Sequence, residues 1–251
     1  MSIVIPRVPW PKRFPDVVIH GNLQQRNKHP NLAIAKAGNA GAALALVRDL
    51  MNETALRQLD NLLQGRKPFV VPVTAIEAAG FNAIPDAMAQ DIGERLELTP
   101  LSGAIVQSNQ VAHTRADGWH RLVTPATFTG AVVAGADYLL VDDHVGFGGT
   151  LANLRGHIEV NGGRVIGMTA LTETGGGREI AIRHETHLML QSKYGNELAK
   201  FWRSTFGHDI DCLTNLEAGY LYRVESLDAI RTRMAQAAER ARSRGVSAID
   251  I

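Results

Sequence analysis

The run Tyr138-Leu-Leu-Val-Asp-Asp-His-Val-Gly-Phe-Gly-Gly-Thr150 decides how the rest of the chain is read. Residues 138–143 read as a buried strand, apolar from Tyr138 to Val141 and ending in two adjacent carboxylates, Asp142 and Asp143. A glycine-bearing loop follows, and an amphipathic helix begins near Thr150 and ends at Gly162-Gly163. A loop and helix N-terminus of this kind offer backbone N–H groups to a phosphate. The carboxylates beside it can hold sugar hydroxyls or a hydrated magnesium ion. A lone GxGGT would be an ordinary sheet-to-helix turn. The apolar strand and the acid pair in front of it favour a sugar-phosphate site.

Working outward, Val165 to Thr172 is a second buried strand, and Phe69-Val-Val-Pro-Val73 is a third, ending near Pro72. Pro85 opens a helix in which Met88, Ile92 and Leu96 share a face, and Ala104-Ile-Val-Gln107 reads as a further strand. Residues 108–125 have no apolar period and read as a long functional loop. Upstream, Asn52 to Gln64 is a helix with a Leu56, Leu59, Leu63 stripe, and residues 32–50 form two short helices broken at Gly38 to Gly41. The proline-rich first 30 residues read as an extended arm with a short strand at Val17 to Ile19. Downstream, Gly175-Gly-Gly177 turns the chain into a polar helix, and Ser226 to Arg244 is an amphipathic helix stopped by Gly245. This order predicts an α/β fold: a parallel sheet with helices on both faces, plus helical extensions at both ends.

A chain of 251 residues with 45% hydrophobic content can bury such a core as one domain. Its net charge of +1 gives no global field pointing to nucleic acid or to a membrane surface. The single cysteine, Cys212, forms no internal disulfide and suits a reducing cytosol. The N-terminus lacks the cationic and apolar segments of a signal peptide, and no run of about 18 apolar residues is present. A cytoplasmic location without membrane contact is therefore expected.

The 138–150 run resembles the signature of type I phosphoribosyltransferases. The resemblance covers about residues 69–172. Val73-Thr-Ala-Ile-Glu-Ala-Ala-Gly80, followed by Phe81-Asn82, is similar to the ComF-like branch. It implies a phosphoribosyltransferase core at 69–172, with a cap, or hood, from residues 1–68 and 173–251. The implied reaction moves phosphoribose from phosphoribosyl pyrophosphate to a nitrogen acceptor resembling a nucleobase, releasing pyrophosphate, with Mg2+. Asp142 and Asp143 would orient the ribose and meet the metal through ribose or water. Gly146, Phe147, Gly148, Gly149 and Thr150 would bind the 5′-phosphate. Val73, Thr74 and Ala75 would approach the pyrophosphate, and Arg115, in a loop with His113, His120 and Arg121, would close over it. Phe147 departs from the family, where threonine is usual. That departure and the long C-terminal extension favour the alternative, a non-catalytic regulatory protein that binds phosphoribosyl pyrophosphate or an accessory in DNA processing. A homodimer is left open.

Three further features have plain readings. His184-Glu-Thr-His187 spaces its histidines three apart, where a zinc-protease helix needs four, and reads as a solvated helix face. Gly175 to Gly177 reads as a tight turn. Arg231, Arg233, Arg240, Arg242 and Arg244 are interleaved with alanine and glutamate and read as a solvated face rather than a nucleic-acid stripe.

Overall fold

The computed structural model describes residues 5–77, 80–109, 111 and 117–251, with the side chains of Ile76 and Glu77 excepted. Its centre is a five-stranded sheet of β1 (Val18–Ile19), β2 (Phe69–Pro72), β5 (Thr99–Pro100), β8 (Asp137–Val145) and β9 (Arg164–Glu173). The spatial order is β1-β9-β8-β2-β5, and every pairing is parallel. Parallel strands covered on both faces read as continuous apolar runs, which is why Phe69 to Val73 and Tyr138 to Val141 stand out in the sequence.

The two-residue period of β8 sorts its side chains between two cores. Leu139 and Val141 join Val70 and Leu171 against α3 (Ala40–Leu50), α4 (Glu53–Leu63) and α5 (Ile84–Leu96). Tyr138 and Leu140 join Val71 and Met168 against Leu151, Leu154 and Ile158 of α7 (Gly149–Val160). The helices start where the caps place them. The Asn39 and Asn52 side chains accept the N–H groups of Ala42 and Ala55, and Pro85 lies in the first turn of α5.

Residues 5–68 supply the edge strand β1 and α1 (Leu23–Lys28), α2 (Leu32–Lys36), α3 and α4 of one helical layer. Residues 184–243 build a third core of their own. In it α8 (His184–Phe206), α9 (Asn215–Tyr222) and α10 (Leu227–Ser243) pack with α6 (Gly118–Val123). Helix α8 bends at Gly195, whose φ of 58° and ψ of −149° are not helical.

Two expectations are corrected. Ala104 to Gln107 is not a strand of the central sheet. Its ordered part, β6 (Ile105–Gln107), pairs antiparallel with β7 (Phe128–Gly130), while the sheet edge is β5. Nor is 108–125 without structure, because α6 forms inside it, capped by the Asp117 side chain on the His120 N–H.

Candidate functional site

Strand β8 runs past the acid pair. Asp142 lies opposite Ala170, His144 opposite Thr172 and Val145 opposite Glu173, so both carboxylates sit inside the paired region at its C-terminal end. Open α/β sheets present ligands at that end. The strand period then separates the two acids. Asp143 falls on the α1–α5 side, where its Oδ2 lies 3.3 Å from Arg26 Nη1 and 3.4 Å from Lys36 Nζ. Asp142 falls on the α7 side and accepts the Asp143 N–H at 2.8 Å. Burial, followed by the Asp143 charge, holds the Asp142 carboxyl well above the usual carboxylate range. His144 bridges Thr172 Oγ1 at 2.9 Å and Thr174 Oγ1 at 3.0 Å, and burial with the nearby Arg26 lowers its pKa to about 4.

The neighbouring acids should therefore behave differently as asparagines. Asp143→Asn leaves Arg26 and Lys36 facing a neutral group in a buried site. It should cost about 3 kcal/mol and lower Tm by roughly 6–12 °C. Asp142→Asn replaces a carboxyl whose neutral form burial favours with a near-isostere, and should cost less than about 1 kcal/mol. Thermal unfolding of the two variants checks this, and equal shifts would contradict the split.

The loop after β8 leads into α7 through Gly148 at φ 79°, a left-handed turn that glycine adopts without strain. No side chain caps α7, so its first-turn N–H groups keep their partial positive charge. Gly146, Phe147, Gly148, Gly149 and Thr150 line one cavity with Asp142 and Arg121. The fold thus brings the loop and Asp142 to one cavity. The cavity measures about 70 Å³. Small-molecule sites usually run to about 300–1,000 Å³, so a sugar phosphate fits only after the walls move.

Those walls come from chain segments that no local signal tied to the site. Arg7, on the N-terminal arm, donates to Glu217 of α9 at 2.6 and 2.9 Å, to Asn153 Oδ1 at 2.6 Å and to the Gly149 carbonyl at 3.4 Å. Glu217 also accepts the Thr214 N–H at 2.9 Å, closing a capping box at the start of α9. Burial alone would raise the Glu217 pKa, but Arg7 outweighs it and holds the carboxyl below its usual value. Trp202, Phe206 and His208, around the end of α8, complete the wall.

Phe147 is held on both its backbone and its ring. Its carbonyl accepts the Thr214 hydroxyl at 2.6 Å, and its ring lies 5.2 Å from that of Tyr220. Gly118 of α6 packs against both rings, and Trp119 lies 4.9 Å from Tyr220. The ring thus joins the loop to α6 and α9. Phe147→Thr should destabilise the fold by about 2–3 kcal/mol through lost aromatic packing. A restored hydroxyl that left urea unfolding unchanged would refute that role.

Other expected positions are placed as follows. The Val73 N–H is committed to the Val141 carbonyl at 2.8 Å, so it is not a donor to a ligand. The Thr74 carbonyl accepts the Gln107 N–H at 2.8 Å. Asn82 accepts the Ile84 N–H at the start of α5. Arg115 and His113 lie outside the described residues. His184 and His187 sit in the first turn of α8, and among the described residues no three His, Cys, Asp or Glu side chains cluster as metal ligands. The Gly177 N–H bonds the Thr174 carbonyl in a turn. Arg231, Arg233, Arg240 and Arg242 pair with Asp228, Glu225, Asp117 and Asp250. No described helix is long and apolar enough to cross a membrane.

No family model matches the chain. It is 42% identical over 238 residues to Protein TraN of Escherichia coli, a match covering 95% of this chain and 53% of TraN. It is 38% identical over 152 residues to an uncharacterized protein of Haemophilus influenzae, covering 61% of this chain and 34% of that protein. The chain thus spans about half the length of TraN. Solved structures similar to parts of it include adenine phosphoribosyltransferase from Rhodothermus marinus, at 17% identity and a TM-score of 0.32, covering 51% of this chain and 71% of that one. Leishmania donovani UMP synthase aligns at 14% identity and a TM-score of 0.30, covering 77% of this chain and 35% of that one. Likenesses at these scores are partial, and the fold class stands on the sheet topology itself.

Proposed function

We propose that this chain is a phosphoribosyltransferase of type I, using phosphoribosyl pyrophosphate and a nitrogen acceptor resembling a nucleobase. The observation that carries the reading is the cavity at the C-terminal end of β8, where the uncapped N-terminus of α7 and the buried Asp142 meet. The N–H groups of Gly146 to Thr150 and the Thr150 hydroxyl bind the 5′-phosphate. Asp142, whose neutral form burial favours, can donate to a ribose hydroxyl from that form. Asp143 keeps Arg26 and Lys36 beside the strand end. The segment Val73, Thr74 and Ala75 approaches the pyrophosphate, Val73 without its N–H, and Arg115 is the closing cation. The acceptor nitrogen attacks carbon 1 of the ribose as the bond to pyrophosphate breaks. Catalysis is then mostly positioning and charge stabilisation. Asp142 and Asp143 suit Mg2+ only through ribose or water, since burial pushes one toward its neutral form and the other is shared by two cations. The ion would arrive with the pyrophosphate. The Gly80-Phe81-Asn82 stretch, with Asn82 at the start of α5, is in keeping with the ComF-like branch.

A second reading, a binding protein without turnover, is favoured by the walls around the loop. Arg7–Glu217 and Thr214–Phe147 hold the C-terminal helices against it, and the cavity is far smaller than the ligand. The deciding experiment is calorimetry with phosphoribosyl pyrophosphate and Mg2+, followed by pyrophosphate release over a panel of nucleobases. Binding with release supports the transferase. Binding without release on any base supports the second reading, and no binding removes both.

A further inference from the structure

Trp202 carries a buried polar atom that the fold does not use. The residue is 1% exposed, and its indole Nε1 has no hydrogen-bond partner among the described residues. An indole N–H is only a donor, and leaving one buried without an acceptor costs about 1–3 kcal/mol. Trp202 stacks on Phe206 at 4.2 Å between ring centroids, and both rings line the cavity that holds Asp142 and the phosphate loop. His208 lines it too, its ring edge-on to Trp202 at 6.5 Å. The Nδ1 of His208 lies 3.0 Å from the Asp209 carbonyl, which can only accept. Nδ1 therefore carries the ring proton of the neutral histidine and Nε2 is left as an acceptor. Burial lowers the His208 pKa to about 4, in keeping with that neutral form. Among the residues that line the cavity, the C-terminal extension thus supplies a donor on Trp202 and an acceptor on His208.

We propose that Trp202 and His208 read the acceptor substrate through an edge on which a hydrogen-bond acceptor adjoins an N–H. The acceptor atom takes the Trp202 Nε1–H, and the neighbouring N–H goes to His208 Nε2. Lactam, amidine and carboxamide edges share this pattern. Such an edge is small, and it enters, as the sugar phosphate does, once the walls of the cavity of about 70 Å³ move. A substrate lacking either half leaves a buried polar group unpaired, which is how polar sites discriminate strongly. The assignment rests on the transferase reading for the substrate's role, and the test separates the two.

The test uses the whole chain and three probes: hypoxanthine, adenine and nicotinamide. Pyridine, an acceptor without a donor, is the control. The three tryptophans give three indole N–H resonances, and Trp202→Phe identifies the one that matters. In the wild type that resonance should move with at least one probe and not with pyridine. Trp202→Phe keeps the stack and deletes the donor, and should weaken that probe about tenfold or more. An unmoved resonance in a chain that binds phosphoribosyl pyrophosphate would overturn the inference, as would unchanged probe affinity in a folded Trp202→Phe. Should that variant fail to fold, the wild-type resonance decides. A resonance that moves in a chain unable to bind phosphoribosyl pyrophosphate would sink the transferase reading and keep the heterocycle site.

Discussion

Glu217→Ala is expected to cost about 3–5 kcal/mol, or roughly 6–20 °C in Tm, because it strands a buried guanidinium. Arg7 is almost fully enclosed and spends its donors on Glu217, Asn153 and the Gly149 carbonyl. Without the carboxylate its charge has no counterpart, and Thr214 loses half of its capping box. The double variant Arg7→Met, Glu217→Leu should be milder than Glu217→Ala alone, since it removes both charges and keeps the volume. Urea titrations of the three proteins give the answer. A loss below about 1 kcal/mol in Glu217→Ala would show that the pair does not join the C-terminal helices to the loop.

Acid should unfold the protein well before its ordinary carboxylates protonate. Burial lowers His20, His144 and His208 each to about 4, so all three are neutral in the fold at pH 5.5 while unfolded histidines, near 6.5, take up protons. A depressed histidine stabilises the fold fully above the unfolded value, and that stability is lost as pH falls toward the folded one. Asp142 works in the opposite sense. Its folded pKa is raised, so its contribution is full below 3.8 and is lost as pH rises through the folded value. Between pH 6 and 4.5 unfolding should therefore take up roughly two protons net. That is at most about 2.7 kcal/mol per pH unit, since His144 is partly solvated. Urea midpoints at pH 7, 5.5 and 4.5 measure the slope, and a flat profile would contradict it. His208→Gln should flatten the profile in part.

The central strands and α7 were legible because a short apolar run bounded by glycine and proline has few other solutions. Asp142 and the loop Gly146 to Thr150 shared that legibility. The division of Asp142 from Asp143 is not legible because two adjacent acids at a strand's end read as one pair with one role. Pairing with β9 carries the strand on through His144 and Val145, and its two-residue period puts the acids on opposite faces. Residues 104–107 looked like any other short strand. Three residues cannot encode their partner, and the antiparallel pairing with β7 is a tertiary choice. The walls of the cavity were illegible for a different reason. Arg7 and Glu217 are 210 residues apart, and neither sits in a pattern that names the other.

That separation bears on how the molecule is made. The N-terminal arm crosses α7 so closely that a methyl at Gly156 would overlap the Pro6 carbonyl, and among the described residues β1 pairs with β9 alone. Arm and strand precede α7 and β9 in the chain, and Arg7 precedes Glu217 by 210 residues. At about 5–20 residues per second the ribosome needs roughly 10–40 s to travel from Arg7 to Glu217. The sheet has all five strands once β9 is made, while Arg7 waits longer for its carboxylate. A ribosome stalled between residues 173 and 217 would therefore hold a paired sheet whose cavity still lacks its α9 wall.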